Sequence, residues 1–384
     1  MPAAIFTYHA PTQIIFGPGS LSQLADAMGT LGERVLLVSD PGVAAAGILD
    51  RVASVLSAAG RRPEIAADVE PNPSVETAER ATATFKRAGC DWVLAVGGGS
   101  SMDVGKAVAL LAVHPGPIGV YEGVGKVPGP TAPLVCIPTT AGTGSEVTTF
   151  SVITDRARKF KMPIGSWHLL PQVAVCDPEL TMTMPQPLTA ATGMDALTHA
   201  VECFTNTFYN PISKALAMEG IRLIGGALRR AYTNGRDLDA RTQMLLASLL
   251  AAMAFTRTRL GNVHAMSHPV GAHFDVPHGV ANAVLLPYVM EWNLPGCLET
   301  FPDVAAALGE SVGGVSARAA SVVAVDAVRT LARDVGIPER LRDVGVRREG
   351  IPAMARDAMQ SGNVLVNPRS TRYEEMVALF ETAW

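Results

Sequence analysis

The pattern of apolar and polar positions changes character near residue 185. Before it, short β-branched runs alternate with helical patterns. The runs 13-QIIFG-17, 34-RVLLVSD-40, 63-PEIAADV-69, 92-WVLAVGGG-99, 134-LVCIP-138 and 173-VAVCD-177 read as strands. The stretch 74-SVETAERATATFKRAG-89 follows Asn72-Pro73, a cap and first-turn pair, and ends on Gly89, which predicts a helix. Strand, helix and strand at this spacing predict a parallel sheet with crossover helices. After residue 185 strand signals vanish. The Ala/Leu/Met-rich stretches 211-PISKALAMEGIRLIGGALRRAY-232, 237-DLDARTQMLLASLLAAMAF-255, 315-VSARAASVVAVDAVRTLARDV-335 and 371-TRYEEMVALFETA-383 predict a helical bundle. Pro185-Gln186-Pro187 marks the hinge. The expectation is an α/β domain over 1–185, an all-helical domain over 186–384, and a cleft between them.

Four residues of the second half stand out. Asp195 and His199 lie in 192-TGMDALTHAVE-202, and His264 and His278 in 261-GNVHAMSHPVGAHFDVPHGVANAVLLP-287. Asp195 and His199 are four apart, so on a helix they share one face. His264 and His278 have Pro277 between them and meet only through tertiary folding. One carboxylate and three imidazoles are a complete donor set for a divalent ion, and Fe, Zn, Ni and Co all suit it. A lone histidine is more often a hydrogen-bonded core residue, but this set is costly to bury without a metal.

Composition sets the surroundings. The chain has 384 residues, 48% hydrophobic and 17% charged, an ordinary enzyme profile with room for two cores. A net charge of -4 and no basic run argue against nucleic acid as the main partner. The segment 1-MPAAIFTYHAPTQIIFG-17 lacks a basic region followed by an apolar one, so no signal peptide is expected. The apolar run 247-ASLLAAMAF-255 is too short to cross a bilayer. Cys90, Cys136, Cys176, Cys203 and Cys297 are scattered, without C-x-x-C spacing. They read as small buried thiols in a reducing cytoplasm.

Glycine-rich loops occupy the first half. The run 92-WVLAV-96 leads into 97-GGGSSMDVGKAVALL-111, where glycines admit a close phosphate and the helix N-terminus favours an anion. It is no Walker A loop, since five residues separate Gly99 from Gly105 and Ala107 replaces the Ser/Thr, and it is not G-x-G-x-x-G. A tight strand-to-helix turn is the plain alternative. The stretch 123-GVGKVPG-129 fits neither pattern and reads as a surface turn. A second loop, 139-TTAGTGSEVT-148, follows 134-LVCIP-138. Two such loops at the ends of parallel strands predict a Rossmann-like nucleotide-binding domain. Asp40 closes 34-RVLLVSD-40. An acid there accepts from a ribose 2′-hydroxyl and repels a 2′-phosphate, which favours NAD over NADP. It serves equally well as a helix cap before Pro41.

These motifs together resemble the iron-containing (group III) alcohol dehydrogenases. The matching segments are 97-GGGSSMDVGKA-107, 137-IPTTAGTGSEVT-148, 176-CDPELT-181, 192-TGMDALTHAVE-202 and 264-HAMSHPVGAHFDVPHGVANAVLLP-287. The likeness runs from 13-QIIFGPGSLSQL-24 to 366-VNPRSTRYEEMVALF-380, nearly the whole chain. It implies a dehydroquinate-synthase-like architecture, NAD(P)-dependent alcohol–aldehyde interconversion and a homodimer. It implies Asp195, His199, His264 and His278 as ligands of Fe(II), with Zn(II) or another divalent ion as the alternative. The nucleotide contacts it implies are Asp40, Gly97, Gly98, Gly99, Ser100, Asp103, Thr139, Thr140, Thr143, Ser145 and Lys161. Asp103 lies near the pyrophosphate or nicotinamide in this reading, or caps the helix after GGGS. Lys161 reaches the nicotinamide ribose, or is one charge of a solvated turn with Arg156, Arg158 and Lys159.

The mechanism implied is Lewis-acid activation of the alcohol oxygen, with hydride passing to C4 of NAD⁺. His268, four after His264, is the candidate for proton relay, or a structural imidazole. Substrate-facing positions implied by the resemblance are Phe150 and Phe255, with Arg257 and His273 as further candidates. Phe150 stands where diol-specific members carry a polar residue. Arg257 or Arg259 facing the cleft suggests an anionic or oxygen-rich substrate such as a semialdehyde; otherwise both are exposed helix-end cations. Three rivals remain. A maleylacetate reductase lacks the full metal set. A dehydroquinate-synthase-like lyase carries Lys and Arg for a phosphorylated substrate, which the segment around the metal histidines lacks. The third is a binding protein without turnover.

Overall fold

The computed structural model describes residues 5–384. Residues 1–4, which open the first predicted domain and the segment read for a leader, lie outside the described residues. The chain forms two compact units: Ala10–Met184, and Pro185–Trp384 together with the described residues up to His9.

The first unit is built on nine strands: β1 (Gln13–Phe16), β2 (Arg34–Val38), β3 (Arg62–Ala66), β4 (Trp92–Gly97), β5 (Gly123–Val124), β6 (Leu134–Pro138), β7 (Phe150–Asp155), β8 (Phe160–Gly165) and β9 (Val173–Cys176). Six of them make one sheet in the order β1-β9-β6-β4-β2-β3, every pairing parallel. The central strands are apolar on both faces, as a sheet covered on both sides requires. In β4, Val93 and Ala95 point into one core, and Trp92, Leu94 and Val96 into the other. β2 and β6 split the same way, with Leu36, Val38, Leu134 and Cys136 opposed to Val35, Leu37, Val135 and Ile137. The helices Val75–Ala88 and Gly99–Val113 cover the first face, and Ile48–Ala58 the second. Ser74 caps Val75–Ala88 by accepting from the Thr77 N–H, and Gly89 ends it at φ 62°.

A second, three-stranded sheet was not foreshadowed by the strand pattern. β7 and β8 form an antiparallel hairpin, and β5, inside the expected 123–129 turn, pairs parallel to β8. Ile153, Met162 and Ile164 drive it into the core. Lys161 lies on β8, buried, donating from Nζ to Asn72 Oδ1 at 2.8 Å, so it is no solvated turn charge. Arg158 does lie in the exposed turn, bonded to Asp155 and Glu122.

A buried polar network fixes the loop after β6. The Lys106 ammonium donates to Ser145 Oγ (2.8 Å), Thr148 O (3.0 Å) and Oγ1 (3.1 Å), and Phe150 O (2.7 Å). Asp103 accepts from Ser145 Oγ (2.8 Å) and from the Val152 N–H (3.0 Å). Asp103 thus ties the Gly99–Val113 helix to β7 and does not cap that helix. Burial pushes the Asp103 carboxyl up and the Lys106 ammonium down, while each charge holds the other toward its ionised form.

The second unit is helical; no strand occurs in it among the described residues. Its helices are Gln186–Thr205, Pro211–Thr233, Leu238–Thr258, Asn262–Phe274, His278–Asn293, Phe301–Ala307, Ala317–Asp334, Ile351–Met359 and Tyr373–Ala383. Asn210, Asp237 and Ser316 cap three of them, each accepting the N–H three residues on. Leu238–Thr258 exceeds the apolar run read from the sequence and is long and apolar enough to cross a membrane, but most of its apolar stretch is buried inside the bundle. Gln186–Thr205 is buried nearly all round and packs against its three longest neighbours.

Burial pushes the Glu146 carboxyl up to about 7, opposed by its own backbone N–H and by Lys106. A carboxyl raised on folding stabilises fully only below its unfolded value, and that contribution is lost as pH rises through about 7. Glu146→Gln is therefore expected to match the parent at about pH 4 and to exceed it at pH 8 by at most roughly 3 kcal/mol in denaturant unfolding. An equal difference at both pH values would contradict this origin.

Candidate functional site

Asp195, His199 and Glu202 fall at i, i+4 and i+7 of the Gln186–Thr205 helix, so they form one polar stripe on an otherwise apolar element. His264 sits in the first turn of Asn262–Phe274, and His278 opens His278–Asn293. Gly279 lets that start lie against the central helix, because a Cβ there would meet Ala191 O at 2.5 Å. His199, His264 and His278 each place Nε2 at 3.9 Å from Asp195 Oδ1. Metal–ligand bonds of roughly 2.1 Å set tetrahedral donors roughly 3.5 Å apart, and Asp195, His199 and His264 bring their ligand atoms within 4.8 Å of one another, close enough to share one ion. Asp195, His199 and His264 are buried, and His278 is partly exposed.

Electrostatics point the same way. Among the described residues no Lys or Arg forms an ion pair with Asp195 or Glu202. The Asn282 amide, four after His278, lies among the donors: Nδ2 is 2.6 Å from Asp195 Oδ1, 3.0 Å from His264 Nε2 and 3.1 Å from His278 Nε2. Its Oδ1 is buried without a hydrogen bond. An N–H group thus faces the very lone pairs a cation would take, and the residues fit a divalent ion. Glu202 accepts from the Val263 N–H and lies 2.6 Å from His264 Nδ1. Burial pushes Glu202 up to about 8, opposed by the Val263 and Gly261 N–H groups, and holds His264 well below the usual imidazole range.

The other imidazoles divide. His268 is half-buried, its ring stacked on His278 at 5.4 Å and edge-on to His264 at 6.2 Å. His273 turns instead to Asp357, at 2.8 Å. Phe255 stacks on His199 at 4.5 Å. Arg257 is half-buried with its guanidinium over the Tyr8 ring, and only Arg259 is exposed. Burial lowers the Arg257 guanidinium from its ordinary value. Phe150 belongs to β7 in the other unit.

In the α/β unit the candidate nucleotide residues other than Lys161, which lies on β8, follow the carboxyl ends of the adjacent strands β2, β4 and β6. Asp40 caps the following helix through Oδ1 (Val43 N–H, 3.0 Å) and accepts from Ser101 Oγ through Oδ2 (3.0 Å). Gly97 has φ 151°, and a Cβ there would meet Ser101 and Asp40. Gly98 caps the Gly99–Val113 helix with no side-chain hydrogen bond, so Gly99 and Ser100 open a helix with uncapped N–H groups. Thr139 is buried, and Thr140 Oγ1 has no hydrogen bond. Thr143 Oγ1 accepts from the Ser145 N–H at 3.3 Å. Ser145 and Asp103 are engaged with each other and with β7. The sequence pattern did not single out Lys106, Glu202 or Asn282. Helical spacing from Asp195 and His278 marks the last two.

The family model "Iron-containing alcohol dehydrogenase" matches residues 11–178, and "Fe-containing alcohol dehydrogenase family, C-terminal" matches 189–384. A 1,3-propanediol dehydrogenase of Klebsiella pneumoniae is 43% identical, with all of both chains covered. A lactaldehyde reductase of Escherichia coli is 40% identical over 96% of this chain and 97% of its own. The crystal structure of a 1,3-propanediol oxidoreductase superposes with a TM-score of 0.96 at 43% identity, covering 99% of this chain and 100% of its own.

Replacing Asp195 or His278 with Ala is expected to leave less than a tenth of the parent's bound metal after gel filtration, read by elemental analysis. Parent-level content in either variant would remove that residue from the ligand set.

Proposed function

The chain belongs to the iron-containing alcohol dehydrogenase family, and we propose that it is an NAD-dependent, metal-dependent alcohol dehydrogenase and aldehyde reductase. The observation that carries this is three imidazole Nε2 atoms at one distance, 3.9 Å, from the Asp195 carboxylate. Asp195, His199, His264 and His278 would hold the ion, Fe(II) by family or Zn(II) by donor chemistry. Such an ion supplies Lewis-acid polarisation of an alcohol or carbonyl oxygen and lowers the alcohol's pKa. Phe255 covers the His199 face and keeps water from it. His268 is the group for carrying the alcohol proton away, its ring against His278 and His264.

The nicotinamide nucleotide is assigned to the loops after β2, β4 and β6. The N–H groups at Gly98, Gly99 and Ser100 suit its pyrophosphate. Thr139, Thr140 and Thr143 supply hydroxyls alongside, with Lys161 for a ribose. Ser145 and Asp103 act by shaping the loop. Asp40 keeps lone pairs for a ribose hydroxyl, and its charge disfavours a 2′-phosphate, hence NAD. The substrate class is a small primary alcohol or aldehyde. The names of the relatives support short diols and hydroxyaldehydes within it, despite Phe150. The buried, unpaired thiols support a cytoplasmic setting. Exposed Phe6, Phe208 and Ile212 on the helical unit support a homodimer.

Metal-stripped protein is expected to oxidise NADH with propanal or lactaldehyde only after Fe(II) or Zn(II) is restored, followed at 340 nm. Inactivity on every aldehyde at full metal occupancy would favour the lyase or binding-protein reading. In the same assay Asp40→Gly should raise the NADPH/NADH ratio of kcat/KM at least tenfold. An unchanged ratio would remove Asp40 from cofactor selection.

A further inference from the structure

We infer that Glu202 is the positioning residue of the metal centre. It fixes the tautomer in which His264 presents a bare Nε2 to the ion, and it caps the helix that carries His264. The inference rests on the metal reading of the four donors.

The Asn282 contact sets the tautomer, and the Glu202 contact accommodates it. Asn282 meets Asp195 Oδ1 at 2.6 Å, and a carboxylate oxygen at that distance requires the amide nitrogen, not the amide oxygen. The same NH₂ group lies 3.0 Å from His264 Nε2, so Nε2 faces it with a lone pair and the ring proton is on Nδ1. On the other side of the ring, Nδ1 lies 2.6 Å from Glu202 Oε2 and donates to it. A ligating histidine whose second nitrogen donates to a carboxylate is held in orientation and is the more basic for it.

The second oxygen is engaged as well. Asn262–Phe274 starts after Gly261, which offers no side-chain cap. Glu202 Oε1 accepts from the Val263 N–H of its first turn, at 2.6 Å. A carboxyl oxygen from a neighbouring helix therefore completes this N-terminus. Glu202 lies on the same stripe as Asp195 and His199, so a single helix presents two candidate ligands and the group that aims a third.

Both oxygens accept, and this makes Gln an informative replacement. Glutamine has one acceptor. If it stays on the Val263 N–H, its NH₂ donates to His264 Nδ1 and moves the ring proton to Nε2, which then cannot bind metal. If it turns over, two N–H groups oppose each other at the helix start. Either arrangement weakens the centre.

The test is chelator competition for Zn(II) and Co(II) on the parent, Glu202→Gln and Glu202→Asp, with ¹⁵N shifts of His264 in metal-stripped protein. The expected result is one ion per parent chain and roughly 10- to 100-fold weaker binding in Glu202→Gln. Glu202→Asp should partly recover, and the parent's ring proton should be on Nδ1. Glu202→Gln binding within threefold of the parent, or a parent proton on Nε2, overturns the assignment. The shift measurement needs only the parent, so it decides the matter even if Glu202→Gln does not fold. A parent that binds no metal overturns the reading beneath the inference as well, and is distinguishable from those results.

Discussion

Two carboxylates and three imidazoles are packed inside a helical bundle with no lysine or arginine paired to either acid among the described residues. Burying unpaired charge is expensive, and a cation among the donors would offset that cost. The remainder of that unit follows from this constraint. A central helix brings Asp195, His199 and Glu202 on one stripe, and two further helices begin at the site so that their first residues reach it. Asn282 occupies the lone pairs from one side, but its N–H dipole is a weak substitute for a full charge.

The α/β unit meets a different demand. Its loops must present backbone N–H groups to an anion without collapsing. The Lys106 ammonium, held by four oxygens, and Asp103, bonded to Ser145 and β7, lock the loop after β6 from below. Charge is thus used inside both units, in one to fix a loop and in the other to gather ligands.

Much of this was legible in the sequence. The inner strands β9, β6, β4 and β2 of the main sheet are nearly continuous apolar runs, and the ligand quartet announces itself because histidines and an acid are rare in apolar helices. The β7–β8 hairpin was not legible. Pro163 and Lys161 interrupt its alternation, and the charged turn Asp155–Lys159 makes the whole region look solvated. Lys161 turned out buried because Asn72, distant in sequence, accepts from it. Glu202 looked like an ordinary acid near a helix end, and Asn282 like a neutral filler. Their roles exist only once three helices converge. Arg257 lies over the Tyr8 ring and His273 turns to Asp357, partners that no local pattern supplies.

The most direct test of the account is calorimetric titration of metal-stripped protein with Fe(II) or Zn(II) under anaerobic conditions, followed by thermal unfolding. The account predicts one saturable ion per chain and a stabilisation of about 2.7 kcal/mol when free metal is 100 times Kd. Absence of saturable binding, or binding that leaves unfolding unchanged, would contradict the claim that the buried donors exist for a cation.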